Sequence, residues 1–266
     1  MIGDRDLLEF RQGYYELLGE LLAREPSPAL LARVAQGLPE RIEAARALKA
    51  DLAEGWAAIR DCLAGRPIAE AAEAAAEEFT LLFVGPREAQ VQPYESYYLT
   101  GQLLDRPLVA LRGFLKSLGL EKEPSSPEPE DFLAVELSVM ARLIARQRAA
   151  PDPDGEAHWL GAQARFLKVH LLVWAPRCAD DLVAAPEARF YRGAGRLLTG
   201  FLALEGELFR GWGPESVRTL EEARAAFGAT AGWRGPLFDP ATGSGTPARS
   251  RGAGGSPPPP ARPPGG

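Results

Sequence analysis

The sequence predicts an all-α protein, a single compact helical bundle-like domain of about nine to ten helices with a disordered Gly/Pro-rich C-terminal tail. Apolar residues recur at helical spacing through most of the chain, and no segment shows sustained strand alternation between turns. Proline and glycine stand between the periodic runs, where they end one helix and begin the next. Hydrophobic residues make up 46% and charged residues 25% of the 266 residues, which is typical of a soluble globular domain.

The first half of the chain is predicted to contain five helices. The first carries leucines and tyrosines at helical spacing behind Asp4, which can cap it. Prolines begin the next two, and an alanine- and glutamate-rich run of high helix propensity follows Pro67. Gly119 ends the last of the five in the manner of a C-terminal cap. The predicted ranges are 4–23, 29–35, Pro39 to Leu63, 68–83 and 106–118.

The second half is organised around the stretch Glu123–Phe132, which packs three prolines and four carboxylates into ten residues. Prolines hold such a stretch extended or in a turn, and acids gather where the first N–H groups of a helix are unpaired. The stretch is predicted to begin a helix that carries Leu133, Leu137, Met140 and Ile144 on one face. The helices predicted from here on cover 129–148, 155–173, 177–184, 187–210 and a less regular 215–227.

Domain organisation follows from composition. Residues 1–232 are predicted to form one all-helical domain, in which the proline-rich segment 119–131 is a candidate hinge. Residues 233–266 are dominated by Gly, Pro, Ser and Ala, and they contain few large apolar side chains. Burial of so little apolar surface cannot offset the entropy of ordering the chain, so we expect this tail to be disordered.

Charge and segment composition exclude several classes of protein. The net charge of −6 argues against nucleic-acid binding, which depends on basic patches. No stretch approaches the roughly 20 apolar residues of a membrane-spanning helix, and the N-terminal residues lack the basic and apolar regions of a signal peptide. Cys62 and Cys178 lack metal-type spacing and are expected to stay reduced. We therefore expect a cytoplasmic protein without stable membrane insertion.

The usual catalytic constellations are missing from the sequence. His158 and His170 lie on predicted helices without a second ligand at metal spacing, and neither a phosphate-binding loop nor a nucleophile elbow occurs. Acidic pairs such as Glu77-Glu78 are expected on solvated helix faces, and Gly193-Ala194-Gly195 is expected at a close helix–helix contact. The sequence therefore predicts a protein that is not an enzyme and that uses no metal or cofactor.

Three clusters of residues stand out from this background. Between Phe79 and Pro86, an apolar helix end runs into a Gly-Pro loop. The run Pro93–Tyr98 holds three tyrosines. Tyrosines are usually only partly buried, because a buried hydroxyl needs a hydrogen-bond partner. The third cluster is the acidic run Glu128–Asp131. Each has an ordinary explanation too, since aromatics beside a loop often cover a core and each acid stabilises a helix start by about 0.3–1 kcal/mol.

These clusters, in this order, resemble the motifs of the TorD/DmsD family of cytoplasmic molybdoenzyme chaperones. Phe79-x-x-Leu82-Phe83-Val84-Gly85-Pro86 resembles the family's aromatic-x-x-Leu-Phe segment and following loop, and Tyr94-Glu95-Ser96-Tyr97-Tyr98 is similar to its aromatic-x-Ser-x-Tyr motif. Glu128-Pro129-Glu130-Asp131 matches the start of its Glu-Pro-x-Asp-His signature, whose last position is Phe132 here. With His170, Trp174 and Phe190-Tyr191 downstream, the resemblance spans roughly residues 5–210.

The resemblance implies a cytoplasmic chaperone that binds the twin-arginine leader or the apo form of a partner molybdopterin oxidoreductase, assists cofactor insertion and holds back export until maturation. A leader has a basic region followed by an apolar stretch, so its receptor needs an apolar groove with carboxylates near one end. Glu128, Glu130 and Asp131 are expected to meet the arginines. Phe132 excludes pH switching by an imidazole at its position. The implied peptide-binding residues are Phe79, Leu82, Phe83, Pro93, Tyr94, Ser96, Tyr98, Glu128, Pro129, Asp131 and Phe132.

Several alternatives stay open from the sequence. A nitrate-reductase-type assembly chaperone would serve a molybdoenzyme subunit that is not exported, and a nucleotide-hydrolysing helical enzyme is a third reading. The chain is expected to be a monomer or a homodimer. Glu136 falls inside the apolar face of its helix, so its carboxylate must be protonated or paired, either with an arginine of the fold or at the groove.

Overall fold

The computed structural model describes residues 3–85, 89–122, 127–213 and 216–228. Over these ranges it contains twelve α-helices, two π-helical segments and no strand, which confirms the all-α prediction. The π-helical segments are Thr80–Val84 and Leu167–Leu171. The α-helices are α1 (Arg5–Ala23), α2 (Pro28–Ala35), α3 (Leu38–Leu48), α4 (Ala50–Leu63), α5 (Ile68–Phe79), α6 (Glu95–Thr100), α7 (Arg106–Ser117), α8 (Leu133–Arg148), α9 (Pro153–Phe166), α10 (Leu172–Ala184), α11 (Phe190–Leu208) and α12 (Leu220–Phe227).

Several helix boundaries differ from those predicted. The helix expected between Pro39 and Leu63 is two helices, because Lys49 is extended (φ −153°, ψ 139°) and separates α3 from α4. The short helix α6 was not predicted. The helix expected from 129 begins only at Leu133, since the three residues before Phe132 form a turn and Phe132 itself is extended.

The expected break before 177–184 is also absent. Helix α9, the second π-helical segment and α10 run on from Pro153 to Ala184, with Pro176 inside α10. Proline in a helix interior removes one backbone hydrogen bond and crowds the preceding turn. Trp174 and Cys178 flank the proline and are fully buried, so tertiary packing holds this helix where local preference would end it.

Some of the predictions concern residues outside the described ranges. These are the tail 233–266, the hinge positions 123–126 and Pro86 of the Gly-Pro loop. In the part of the chain that the structure describes, no helix combines the length and the hydrophobicity needed to cross a bilayer.

Close helix contacts in the core depend on glycine. Helix α1 packs along α8, and α4 packs along α11. A Cβ atom on Gly193 of α11 would lie 2.8 Å from Ile59 Cγ1 and 3.0 Å from the carbonyl oxygen of Gly55. A Cβ on Gly55 would lie 2.8 Å from the backbone nitrogen of Leu197. Only glycine permits this approach, which confirms that Gly193 serves helix packing.

A buried ion pair joins the two halves of the core. Arg11 of α1 donates from Nε to Glu205 Oε1 (2.7 Å) and from Nη2 to Glu205 Oε2 (2.8 Å), and both side chains are 1% exposed. Arg11 Nη1 donates to Gln163 Oε1 (3.0 Å), and the Tyr15 hydroxyl donates to Glu205 Oε2 (2.8 Å). Gln163 and Tyr15 thus supply polar contacts that take the place of water around the pair, which a buried pair requires.

A second buried carboxylate caps helix α11. Glu78 accepts hydrogen bonds from the backbone N–H groups of Arg189 (2.8 Å), Phe190 (3.1 Å) and Tyr191 (2.6 Å). The first N–H groups of a helix have no carbonyl partner within the helix, and the helix dipole also favours negative charge at this end. The expectation that Glu77-Glu78 forms a solvated face is therefore wrong for Glu78, which connects α5 to α11.

The close approach of α4 and α11 gives a testable pair of substitutions. Gly193→Ala should lower the free energy of unfolding by about 1–3 kcal/mol, because the new methyl group would overlap α4. Gly113→Ala in α7 is the matched control, since nothing lies within 4 Å of its Cβ position, and it should raise the free energy by about 0.5–1 kcal/mol. Urea denaturation followed by circular dichroism measures both. Equal effects of the two substitutions would contradict this packing.

Candidate functional site

A cavity of about 440 Å³ lies where the end of α1, the first π-helical segment and the segments around Tyr94 and Phe132 meet. Its volume is in the range of ligand pockets in proteins. A second cavity, of about 460 Å³ beside Arg5 and Arg148, has a mostly polar lining and includes none of the motif residues. The residues that line the first cavity are Ala23, Arg24, Glu25, Phe79, Phe83, Val84, Pro93, Tyr94, Glu128 and Phe132.

Two extended segments form one wall of this cavity. Tyr94 and Phe132 are opposite residues of an isolated antiparallel bridge, held by Glu95 N–H to the Asp131 carbonyl (2.9 Å) and Leu133 N–H to the Pro93 carbonyl (2.9 Å). The rings of Tyr94 and Phe132 lie 5.3 Å apart. Successive side chains of extended backbone point to opposite sides. The rings therefore line the cavity while Glu95 and Asp131 are buried behind the wall.

The end of α5 and the first π-helical segment contribute the apolar side chains Phe79, Phe83 and Val84 to the lining. Phe79 and Phe83 pack ring to ring at 4.8 Å, and Phe83 meets Tyr191 edge-on at 5.3 Å. Gly85 ends the segment with φ +67°, a conformation that favours glycine, and Val84 beside it is 60% exposed. π-helical turns often occur at functional sites because they change the direction of the side chains that follow.

The cavity carries two carboxylates and one guanidinium. Glu128 Oε2 accepts a hydrogen bond from the Tyr94 hydroxyl (2.9 Å), and Glu25 Oε1 accepts one from Thr80 Oγ1 (3.0 Å). Burial, followed by the hydrogen bond to the Glu128 carboxylate, raises the pKa of the Tyr94 hydroxyl, so Tyr94 is a donor at neutral pH. The guanidinium belongs to Arg24, which also lines the cavity. The lining therefore combines apolar and aromatic side chains with two carboxylates and one guanidinium.

Six of the eleven residues predicted to bind peptide line this cavity: Phe79, Phe83, Pro93, Tyr94, Glu128 and Phe132. The other five do not. Leu82 and Ser96 are fully buried, and Tyr98 is buried with its hydroxyl donating to Asp181 Oδ2 (2.7 Å). Asp131 is also fully buried, and its Oδ2 accepts from the Ser96 N–H (3.0 Å). Pro129 lies in the turn before the bridge, where its carbonyl accepts from the N–H of Phe132.

Arg24, Glu25 and Ala23 at the end of α1 were not predicted. They precede Phe79 by more than fifty residues, and no local pattern in the sequence links the two. Glu130, expected beside Glu128 and Asp131, is paired with Arg112 of α7 at 2.8 Å. Burial acts against ionisation of Glu130, but the hydrogen bond from Arg112, a backbone hydrogen bond and the charges of Arg112 and Lys122 together lower its pKa.

A cluster of ionisable side chains is buried behind the bridge. It consists of Glu95, Asp131, Glu136 and His170, and we call it the buried cluster. His170 Nδ1 lies 3.1 Å from Glu95 Oε1, and Trp174 Nε1 donates to Glu136 Oε2 (3.3 Å). Among the described residues, Glu136 thus has no arginine partner, and it does not line the cavity. Burial, and then the charges of Glu95 and Asp131, raise its pKa well above the usual range.

The buried cluster contains unpaired polar atoms. Ser96 Oγ, Asp131 Oδ1 and Glu136 Oε1 are buried and have no hydrogen-bond partner in the part of the chain that the structure describes. Burial also raises the pKa of Glu95. Within the described ranges, no group of three or more His, Cys, Asp or Glu side chains is arranged to hold a metal ion, and that includes this cluster.

Comparison with known proteins places these features in a family. The family model for the nitrate reductase delta subunit matches residues 45–180, about half of the chain. The chain belongs to this family. The matched region includes both π-helical segments, the bridge and the buried cluster, but not α1 with Arg24 and Glu25.

Curated relatives of this family member carry the name chaperone protein TorD, which confirms the resemblance to the TorD/DmsD family. The protein from Aeromonas salmonicida is 38% identical over 136 residues, which cover 51% of this chain and 61% of that protein. Those from Photobacterium profundum and Aliivibrio fischeri are 29% and 28% identical over similar shares of both chains. The matched segment thus spans about three-fifths of the length of these relatives.

The burial of Asp131 leads to a prediction about stability. Asp131→Ala should lower the free energy of unfolding by about 1–3 kcal/mol relative to Asp131→Asn, because only asparagine retains an acceptor for the buried Ser96 N–H. Both variants remove the charge, so their difference isolates the hydrogen bond. Guanidinium denaturation supplies the comparison. If both variants are equally stable, Asp131 does not hold the start of α6.

Proposed function

We propose that this protein is a non-enzymatic maturation chaperone that binds the twin-arginine leader of a partner molybdopterin oxidoreductase in the 440 Å³ cavity. The observation that carries the proposal is the combination of apolar side chains and two carboxylates in one lining. The names of the TorD relatives, which describe chaperones and no catalytic activity, support it. In this proposal the partner holds the molybdopterin cofactor, and the chaperone keeps the partner in the cytoplasm until insertion is complete.

The two parts of a leader match the two parts of the lining. An apolar stretch would lie against Phe79, Phe83 and Phe132, burying aromatic surface at roughly 25 cal/mol per Å². The arginines would approach Glu25 and Glu128, which can accept charge-assisted, bidentate hydrogen bonds. A cavity of this volume holds a few side chains at a time. We therefore assign it to the junction between the basic and apolar parts of the leader.

The remaining motif residues support this wall without contacting the peptide. Asp131 holds the start of α6 through Ser96, and the hydroxyl of Tyr98 is bonded to Asp181. Phe132 replaces the histidine of the related signature and adds apolar surface to the cavity, where it packs on Tyr94. In this chain the site is therefore more apolar than the signature implies.

A second partner class is favoured by the name of the family. The matching model is that of the nitrate reductase delta subunit, and a nitrate reductase that is not exported would need no leader. Affinity purification of the full chain from its own cells, followed by mass spectrometry, distinguishes the two classes. Recovery of an oxidoreductase precursor that retains a twin-arginine leader supports the first proposal. Recovery of a leaderless nitrate reductase subunit supports the second.

Calorimetric titration with a synthetic leader peptide tests the role of Glu128. Glu128→Gln should weaken binding by roughly tenfold or more, because a hydrogen bond to a charged group contributes about 1.5–3 kcal/mol. A peptide with both arginines changed to alanine should bind the wild type and this variant equally, since the interacting charge is then absent from both. Val84→Asn removes apolar surface at an exposed position and should weaken both peptides alike.

Glu207→Gln is the matched control for these titrations. Glu207 is a surface carboxylate that is paired with Lys49 near the C-terminal end of α11. Tyr191, which contacts Phe83 of the cavity, lies at the other end of the same helix. With a rise of 1.5 Å per residue, Glu207 and Tyr191 are separated by about 24 Å along the helix. The control should bind as the wild type does. An affinity for the wild-type leader that Glu128→Gln leaves unchanged would refute the electrostatic part of the proposal.

A further inference from the structure

The buried cluster contains more potential negative charge than the described residues around it balance. Glu95, Asp131 and Glu136 are at most 1% exposed, and the imidazole of His170 supplies no more than one positive charge. Arg112 on α7 acts electrostatically on Asp131 from the surface, where its charge is already paired with Glu130. Three buried carboxylates therefore cannot all be ionised, because an unbalanced buried charge is far more costly than a bound proton.

The groups on the remaining side of the cluster do not reduce this excess. On α10, Trp174 donates to Glu136, and Cys178 and Asp181 lie beyond it. Burial raises the pKa of Asp181 to about 6, and Arg177 pairs with it at 3.0 Å. The ring of Phe114 on α7 covers His170 at 5.7 Å. Helix α10 thus adds an acid and no unpaired cation.

The buried oxygen atoms without a hydrogen-bond partner fit a carboxyl group of the cluster that keeps its proton. A protonated carboxyl group is a hydrogen-bond donor, whereas ionised carboxylates only accept. Among the described residues, Asp131 Oδ1, Glu136 Oε1 and the Ser96 hydroxyl oxygen all lack a hydrogen-bond partner, so no donor there stabilises an ionised oxygen at Asp131 Oδ1 or Glu136 Oε1. A buried carboxyl oxygen that receives no hydrogen bond is less costly to bury when the group is neutral, so a proton fits Glu136.

The cavity and the buried cluster lie on the two sides of the same bridge. Tyr94 and Phe132 line the cavity, and their neighbours Glu95 and Asp131 belong to the cluster. Besides burial and the hydrogen bond to Glu128, the charges of Glu128 in the cavity and Asp131 in the cluster both raise the pKa of the Tyr94 hydroxyl. A cation bound at Glu128 therefore lies across the bridge from Asp131, and its positive charge favours ionisation within the buried cluster.

We infer that the buried cluster holds one proton on Glu136 and releases it when a cationic peptide occupies the cavity, so that binding is linked to pH. The identity of the peptide rests on the proposed function, whereas the proton in the free protein does not. Because linkage is reciprocal, the affinity for a cationic leader rises as pH rises, by up to about tenfold per pH unit for a whole proton released. No change of conformation is required.

The free protein gives the first test, through unfolding measured from about pH 7 to about pH 9. A carboxyl group whose folded pKa is raised contributes stability below its unfolded pKa, and that stability is lost as pH rises through the folded value. The wild type should therefore lose stability across this range relative to Glu136→Gln, which keeps the acceptor for Trp174 but cannot ionise. Glu207→Gln should follow the wild type. Parallel curves for all three proteins would overturn the inference.

The second test needs no variant that perturbs the core. Calorimetric titration of the full chain with a twin-arginine leader peptide, at one pH and in two buffers of different ionisation enthalpy, measures the protons exchanged on binding. The wild type and Glu207→Gln should release a substantial fraction of a proton per peptide, and Glu136→Gln should release almost none. Equal enthalpies in the two buffers, or proton uptake, with saturable binding would overturn the inference and leave the proposed function standing. Absence of saturable binding would remove the proposed function and the linkage to pH, while the first test would still decide whether the free protein holds the proton.

Discussion

The ion pair between Arg11 and Glu205 is the interaction on which the rest of the structure depends. It joins the first helix to the last long one, and loss of either partner would leave an uncompensated charge in the core. Such a loss costs about 3–5 kcal/mol, a large part of the 5–15 kcal/mol that stabilises a typical domain. Gln163 and Tyr15 complete its hydrogen bonds. The pair fixes α1 against α11, so it also fixes the end of α1, where Arg24 and Glu25 border the cavity.

The fold class was predictable because helical periodicity is a local signal, and it persists through nearly the whole chain. Boundaries were less predictable where tertiary packing overrode local preference, as at Pro176 inside α10. The aromatic part of the site, including Phe83, Tyr94 and Phe132, was predictable from its motifs. Asp131 shows the limit of such motifs. It adjoins Phe132 in sequence, but extended backbone directs the two side chains to opposite sides of the bridge.

The contribution of α1 to the site could not be predicted for a different reason. Glu25 meets Thr80 only because two helices far apart in sequence converge, and a single sequence holds no record of that contact. Glu25 also lies outside residues 45–180, the region that the family model matches. Glu136 was recognisable as anomalous from its position on an apolar face. The identity of its neighbours, Glu95 and Asp131, required the three-dimensional arrangement.

The two π-helical segments have a consequence for how this site can vary. A π-helical turn holds one residue more than an α-helical turn, so each segment is a position where the chain can shorten by one residue and remain helical. Removing one residue between Phe79 and Phe83 would rotate Phe83 and Val84 by about 100° about the helix axis relative to Phe79 and so change this part of the cavity lining. The same loss in Leu167–Leu171 would reorient His170 relative to Glu95. Insertions and deletions of single residues, rather than substitutions alone, are therefore a route by which related chains can redirect the site.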